Sequence, residues 1–557
     1  MWSVRIAALR ISQLYTFYVF DEAGRETTVD YPTGTDTSFS HDSANRTTSM
    51  VDATGTTSWG FDASSRLTSL TTPQGNLTYT LDNAGKRETL VEGVGTTSYY
   101  WDADSRLTSF ENPYSETTSL TYDAASRLTQ KEFASGAYDW MGYDSRNRTT
   151  SLTHYNSSAT VLSSESYSLD SASNMTSKTV GSLTTSYTGD TVNQLLTESN
   201  TGYSSTFTYD ANGNRASQVL NGTTYSYSYD SGEKLGSIIS GGTTVKSYTY
   251  DGAGRTHTVV TSAGTTTLSY DYEGRVTGIT YPSSATNSFT YNGLDTRVGK
   301  VDSTGTYTYK RDGAGVTDPV LSDGTIAYTP GTSERKSGAS TFDHANYLGT
   351  FTRQTNASQS TTATRVYDAF GNIESTTGTP QSPFGFVGGK GYQEDGDSGL
   401  KLLGHRYYDP SPGRFLTRDR AKEGRNWYTY GSNNPTRRAD PDGQGWRDIL
   451  WGIITIWNYL TGYFPIEPWT PSPNGNGNYH NKLPPDDGDP DMGDPKKSLP
   501  LQRSDGTEDE GSGDMGTGNG VPPGEGSPTG GGPIENNRRE KRNCREGKGP
   551  NRRRARR

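Results

Sequence analysis

The chain has a single cysteine, Cys544, in 557 residues, so no internal disulfide staples it. Apolar residues make up only 29% of the sequence. No uninterrupted apolar run reaches the roughly 18 residues needed to span a bilayer. The first sixteen residues, Met1 to Thr16, lack both the apolar run of roughly 7 to 15 residues and the small-residue cleavage site of a secretion signal. Phosphate-loop and metal-ligand spacings are also missing from the C-terminal region, where His480 stands alone and Cys544 has no histidine near it in sequence. The net charge of −10 argues against nucleic-acid binding by the body of the protein.

What is present is repetition. Fifteen times between Asp21 and Asp312 the chain returns to the pattern aromatic-x-aromatic-Asp-x-x-Gly/Asn/Ser-Arg, and thirteen of the fourteen steps are 20 or 21 residues; only Asp144 to Asp170 is longer, at 26. A period of that size marks an array whose units bury their apolar faces on one another. In Tyr248-Thr249-Tyr250-Asp251-Gly252-Ala253-Gly254-Arg255 the alternation puts Tyr248 and Tyr250 on one face of a strand and Thr249 on the other. The Asp and the following Gly mark a turn, and Arg255 is placed to reach back to a carboxylate or to cover a ring; Arg215 is read the same way. A second turn signal recurs between repeats, as at Gly222-Thr223-Thr224 and Gly264-Thr265-Thr266. One period is therefore strand, turn, strand, turn.

Fifteen hairpins make roughly thirty strands, or on the order of 145 Å of ribbon at ~4.8 Å per strand. Sheets of that extent coil, split or close. The predicted fold is all-β: a hairpin ribbon that spirals into a hollow shell lined by Tyr, Phe and Thr, which suits 37 tyrosines in a chain poor in aliphatics.

The repeat unit resembles the YD repeat of Rhs (rearrangement hotspot) and Tc-toxin C-component proteins. Further blocks are similar in order and spacing to the Rhs-associated core: Tyr367-Asp368-Ala369-Phe370-Gly371-Asn372, Pro383-Phe384-Gly385-Phe386, Gly399 to Pro410, Gly413 to Asp419, Asn426 to Pro435, and Ala439-Asp440-Pro441-Asp442-Gly443. The resemblance covers about residues 18 to 443. It implies a β-cocoon whose core region plugs one end and after which a variable, commonly toxic, segment begins. The expected organisation is 1–17 as a leader or truncated repeat, 18–315 as the array, 316–443 as the core or plug, 444–467 as an apolar helical segment and 468–557 as a disordered variable tail. Because the array starts almost at once, the chain is expected to be a fragment of a longer protein or to have a start lying upstream.

In several family members the core also cuts the chain, using aspartates of two Asp-Pro-x-Gly motifs, just after a Leu that follows the second. Here the first motif reads Asp419-Arg420-Ala421-Lys422, and Gln444 stands at the Leu position. By the resemblance Asp419 and Asp440 are the paired acids, and the cut is placed at Gly443 to Gln444. Two carboxylates pressed together can share a proton and activate water. The plainer reading is that both are turn residues, because Asp-Pro-Asp-Gly makes a turn with or without chemistry; the departures from the motif favour it.

Beyond Gly443 the composition changes. Residues 446–464 (WRDILWGIITIWNYLTGYF) place Trp446, Leu450, Ile453, Ile454, Trp457 and Leu460 near one face of an amphipathic helix, expected to pack on the shell lining, with membrane insertion of a released segment as the second reading. Residues 468–534 are rich in Pro, Gly, Asp and Ser and are expected to be disordered. The basic end, from Arg538 to Arg557, interleaves no aromatic with its arginines and reads as a solvated tail. His41 and His257 read as sheet residues, and His344 and His405 receive no role. No cofactor or metal is expected, and no enzyme beyond the damaged aspartate motif. Two functional classes remain. One is a bacterial toxin-delivery shell, secreted or at the cell surface, with its own C-terminal segment as cargo and an immunity protein or secretion-system component as partner. The other is a surface repeat protein that binds cell-surface carbohydrate.

Overall fold

The computed structural model describes residues 7–11, 14–422, 424–445 and 447–448. Thirty antiparallel strands, from Ala7–Ile11 to Gly305–Thr308, form one hydrogen-bonded sheet in which neighbours in sequence are neighbours in space. This is the predicted all-β hairpin ribbon, and the sheet takes in Ala7–Ile11, inside the expected leader.

Two kinds of turn alternate along it. At the short turn Asn221-Gly222, both residues have positive φ (47° and 83°), the geometry that matches the twist of a two-residue hairpin. The long turn is built by the aspartate. Asp251 Oδ1 accepts from the amides of Ala253 and Arg255 at 3.0 and 2.9 Å, while Gly254 takes φ 76°. Arg255 Nε then donates to Asp251 Oδ2 at 2.6 Å, its Nη1 reaches the carbonyl of Asp271 in the next long turn at 2.9 Å, and its guanidinium lies 4.7 Å from the Tyr270 ring centroid. Tyr270 Oη closes the set by donating to the carbonyl of Thr256 at 2.7 Å. The same clasp recurs at Arg127, with Asp123, the Asp144 carbonyl and Tyr143, and at Arg275, with Asp271, the Asn292 carbonyl and Tyr291. At these turns the charge-assisted pair fixes the arginine within its own turn, and its main-chain bond and cation–π contact tie that turn to its successor.

The two faces of the ribbon differ as alternation requires. Tyr248 and Phe207 are buried, whereas Thr249 faces outward and shares a hydroxyl bond with Thr258 at 2.7 Å; Thr208 and Ser217 do the same. The ribbon then runs back over its own start. Tyr18 Oη bonds Glu273, Asp52 Oδ2 accepts from the Gly293 amide, Asn112 bonds Thr329, and Glu198 accepts from the Ala369 amide. The second lap follows the first in the same order, and the sequence separation shrinks from 255 to 171 residues along the way. Side chains make this seam: the end strands of the thirty, Ala7–Ile11 and Gly305–Thr308, form no ladder with each other among the described residues.

Two expectations are corrected. The fifteenth anchor, Asp312, does not close a repeat turn; its carboxylate accepts from Tyr79 Oη at 3.1 Å and Arg87 Nη1 at 2.5 Å on the first lap. Its neighbour Lys310–Arg311 opens a separate eight-stranded sheet that ends at Ile373–Gly378. The helix expected over 446–464 is described only at Arg447–Asp448, and these two residues are a strand paired with Arg438–Ala439, because their backbone groups bond across to it. The rest of that segment and the tail expected to be disordered lie outside the described residues.

Four successive repeats without the turn arginine receive part of the core. Asn174, Gln194, Asn214 and Lys234 occupy that place in four successive turns. Asn214 Oδ1 accepts from Arg414 Nη1 and Asn426 Nδ2 of the core, and Asn174 Oδ1 accepts from Asn434 Nδ2. Arg215, one place later, pairs with no turn aspartate; it lies between the Phe207 and Phe370 rings, at 4.7 and 4.3 Å.

Replacing Arg255 by Ala removes three interactions at once from a largely buried side chain. The variant is expected to lose about 1–3 kcal/mol of stability, with Arg255→Lys recovering only part of it. Urea unfolding of both variants checks this, and equal stability of Arg255→Lys and wild type would refute the clasp.

Candidate functional site: the paired aspartates

The segment after residue 392 folds into a four-stranded sheet, Gln393–Glu394 to Arg414–Phe415, against which both candidate aspartates are placed. Asp419 is 6% exposed and Asp440 2%. Their carboxylates converge on one guanidinium nitrogen: Arg406 Nη2 lies 3.5 Å from Asp419 Oδ2 and 3.0 Å from Asp440 Oδ2. Arg406 is itself held by stacking 3.6 Å from the Phe415 ring centroid and by donating from Nη1 to the Trp427 carbonyl at 3.1 Å. The structure thus brings the two acids predicted from the sequence to one buried point.

The departures in the first motif do not unmake its turn. Ala421 N donates to Asp419 Oδ1 at 2.8 Å, and Lys422, at the glycine position, adopts φ 52°, the left-handed conformation that glycine would take. A non-glycine residue there costs of order 1 kcal/mol. Arg420, at the proline position, reaches Asp295 Oδ2 at 3.5 Å and Glu273 Oε2 at 3.7 Å, so the substituted residue fastens the loop to the array. In the second motif Gly443 has φ 72°, and a Cβ there would sit 2.3 Å from the Leu403 carbonyl oxygen. That residue has to be glycine.

The expected cleavage residues lie on the same spot. Gly443 and Gln444 line a small cleft, about 50 Å³, together with Arg255, Arg275, Asp295, His405, Arg406 and Asp419. The Gln444 amide donates to Asp442 Oδ1 at 3.0 Å, and the next amide, Gly445 N, donates to Asp440 Oδ1 at 3.0 Å. The nitrogen of the Gln444–Gly445 peptide bond is therefore in direct contact with one of the two acids. Burial pushes the Asp440 carboxyl up, Arg406 opposes this and Asp442 adds to it, leaving the group at about 6.

Sequence reasoning missed Arg406, Tyr392 and Asp442. Arg406 and Asp442 were inside the blocks already quoted, but only the fold shows that Arg406 bridges the acids and that Tyr392 Oη accepts from the Asp440 amide at 2.7 Å. His405 lines the cleft with Nδ1 3.5 Å from Asp295 Oδ2.

Comparison with known proteins gives the following. The RHS Repeat family model matches residues 20–57 and 250–286. The tRNA3(Ser)-specific nuclease WapA of Bacillus spizizenii is 35% identical over 130 residues, which is 21% of this chain and 6% of that protein. The putative uncharacterized protein YibJ of Escherichia coli is 40% identical over 79 residues, 14% of this chain and 33% of YibJ. Among solved structures, that of TcdB2-TccC3-TEV aligns with a TM-score of 0.56 at 16% identity, over 78% of this chain and 28% of that one. The Photorhabdus luminescens Tc holotoxin pore aligns with a TM-score of 0.57 at 15% identity, over 77% and 27%. The chain thus spans less than a third of the Tc structures and a small fraction of WapA.

Because the folded protein binds the Asp440 proton more tightly than an unfolded chain at its ordinary 3.8, the site stabilises the fold most in acid, and that contribution is lost as pH rises from about 4 to about 6. Asp440→Asn is expected to flatten this dependence by about 2 kcal/mol across the window. Thermal melts from pH 4 to 7 test it, and an unchanged slope in the variant would rule it out.

Proposed function

We propose that this RHS/YD-repeat protein, related to the Tc-toxin C component, is a toxin-system shell that encloses its own C-terminal segment and severs it by hydrolysing the Gln444–Gly445 bond. The observation that carries the reading is the Gly445 amide on Asp440 Oδ1, with Asp419 tied to the same arginine. Hydrolysis adds hydroxide to the Gln444 carbonyl carbon and a proton to the Gly445 nitrogen. Asp440 is the group in contact with that nitrogen and holds its proton more tightly than an ordinary carboxyl, which suits the acid role; Asp419, beside the same Arg406, is placed to activate the water. The bond lies where the family-like core blocks end and the composition changes, so a cut there frees residues 445–557 as one piece. Export to the bacterial surface or beyond, with an immunity protein or secretion component as partner, belongs to the same reading.

A second reading draws on the outer face. Trp140 is 48% exposed, and beside it Tyr138 and Tyr155 stack with centroids 4.9 Å apart, an aromatic platform of the kind that holds sugar rings. Under this reading the array binds cell-surface carbohydrate from outside.

Intact-mass measurement separates the components. Wild type is expected as two fragments meeting at Gln444 and Gly445, whereas Asp440→Asn and Asp419→Asn remain whole. A single full-mass wild-type species excludes self-cleavage. Brief trypsin treatment tests enclosure on its own: arginines 538–557 are expected to survive while the array is folded, and their immediate digestion refutes it. Binding of a glycan array by wild type but not Trp140→Ala would favour the second reading.

A further inference from the structure

The position five residues before each turn aspartate faces the buried side of the ribbon, and the array fills it repeatedly with a neutral threonine: Thr37, Thr57, Thr97, Thr118 and Thr185 are all buried there. Two neighbouring repeats put a buried carboxylate there instead, Asp139 just before the single 26-residue step and Glu165 just after it; Glu165 is met by Tyr167 Oη at 2.7 Å, whereas Asp139 is met by two histidines. A carboxylate costs several kcal/mol to bury without partners, and the strand pairing does not need one.

The partners of Asp139 come from both laps of the ribbon. His154 is its cross-strand neighbour, and His344 arrives from the strand Ala339–Ala345 of the second sheet. Both imidazoles bring Nδ1 to the same oxygen, Asp139 Oδ1, at 2.6 Å each. Both histidines are wholly buried and Asp139 is 4% exposed. Two nitrogens on one carboxylate oxygen are closer than ordinary neutral N–H···O bonds. His154 Nε2 is buried without a hydrogen-bond partner in either tautomer. His344 Nε2 lies 3.0 Å from Thr355 Oγ1, itself fully buried.

We propose that Asp139, His154 and His344 bind one divalent cation of the zinc class, Zn²⁺ or Co²⁺, and that the ion stitches the first lap of the ribbon to the second. Two imidazoles and a carboxylate are the donors such an ion accepts, and three protein ligands leave one coordination position open. Oxygen-seeking Ca²⁺ and Mg²⁺ do not suit this set. Binding moves each imidazole proton from Nδ1 to Nε2 and releases none. The His344 Nε2–H then donates to Thr355 Oγ1, the outer hydrogen bond that commonly orients a metal-ligating histidine. Around an ion with bonds of about 2.0–2.1 Å the donor atoms stand about 3.3 Å apart, so each Nδ1–Oδ1 distance widens by about 0.7 Å. Lys131 is the cation facing the cluster; its ammonium is held by the Gly331 carbonyl at 2.8 Å, and burial lowers its pKa.

The test uses the full chain, stripped with a chelator and titrated with Co²⁺. Expected are one equivalent bound, the intense visible bands of four- or five-coordinate cobalt with nitrogen ligands, and a higher Tm for the metal-loaded protein. His344→Gln and His154→Gln each lower affinity at least tenfold and remove the bands, while the His480→Ala/Cys544→Ser variant keeps them, which assigns the ion to the array and not the tail. Should a histidine variant fail to fold, the wild-type spectrum still decides. Absence of cobalt bands in wild type, or bands that persist in both histidine variants, overturns the proposal.

Discussion

The clasp between a turn aspartate and the arginine four residues on is the interaction on which the array depends. One carboxylate does two jobs: Oδ1 caps two amides of its own turn, and Oδ2 orients a guanidinium that then bonds the next turn. A surface ion pair alone is worth little. Here the arginine also covers a tyrosine ring and meets a carbonyl, so the pair fixes the spacing of successive hairpins as well as the shape of each. Exposed Thr and Ser hydroxyls bonded across strands hold the outer face in register without apolar surface, which suits a long sheet that must avoid edge-to-edge association.

The seam between the laps follows a different rule. Little aliphatic surface is available, so buried polar groups carry much of the contact. Asp312 takes Arg87 and Tyr79, and Arg215 lies between two phenylalanine rings. Glu198 receives the Ala369 amide and is pushed up to about 8 by burial and by Asp368 beside it. Such contacts require specific partners, which makes the relation of second lap to first a matter of register and not of general stickiness. The four successive turns from Asp170 to Lys234, none with an arginine at the clasp position, belong to the same logic. Where the clasp is missing, turn carbonyls and side-chain oxygens accept from the core segment: Arg414, Asn426 and Asn434 bind there.

At the aspartate pair the motif has changed while its geometry has not. Lys422 holds the left-handed conformation of the glycine it replaces, and Arg420 substitutes two ionic contacts to the array for the rigidity of proline. Contacts distant in sequence keep the same backbone turn despite the changed motif residues. The turn and the paired acids are not rival readings, since the turns are what bring Asp419 and Asp440 to Arg406.

The sequence by itself determined the hairpin, its period, the inward tyrosines and the outward threonines, because these follow from alternation and turn chemistry within about twenty residues. It also singled out Asp419 and Asp440, whose carboxylates meet at Arg406. Only the tertiary structure decided which arginine bridges the acids, that Asp312 leaves the repeat to pair with Arg87, that Arg447–Asp448 is a strand, and that Asp139, His154 and His344 meet. The Asp312 and Asp139 contacts join chain segments that the coil of the ribbon superimposes, 225 residues apart for Arg87 and Asp312 and 205 for Asp139 and His344. The pitch of that coil sums small strand twists over thirty strands, and no local pattern encodes the sum.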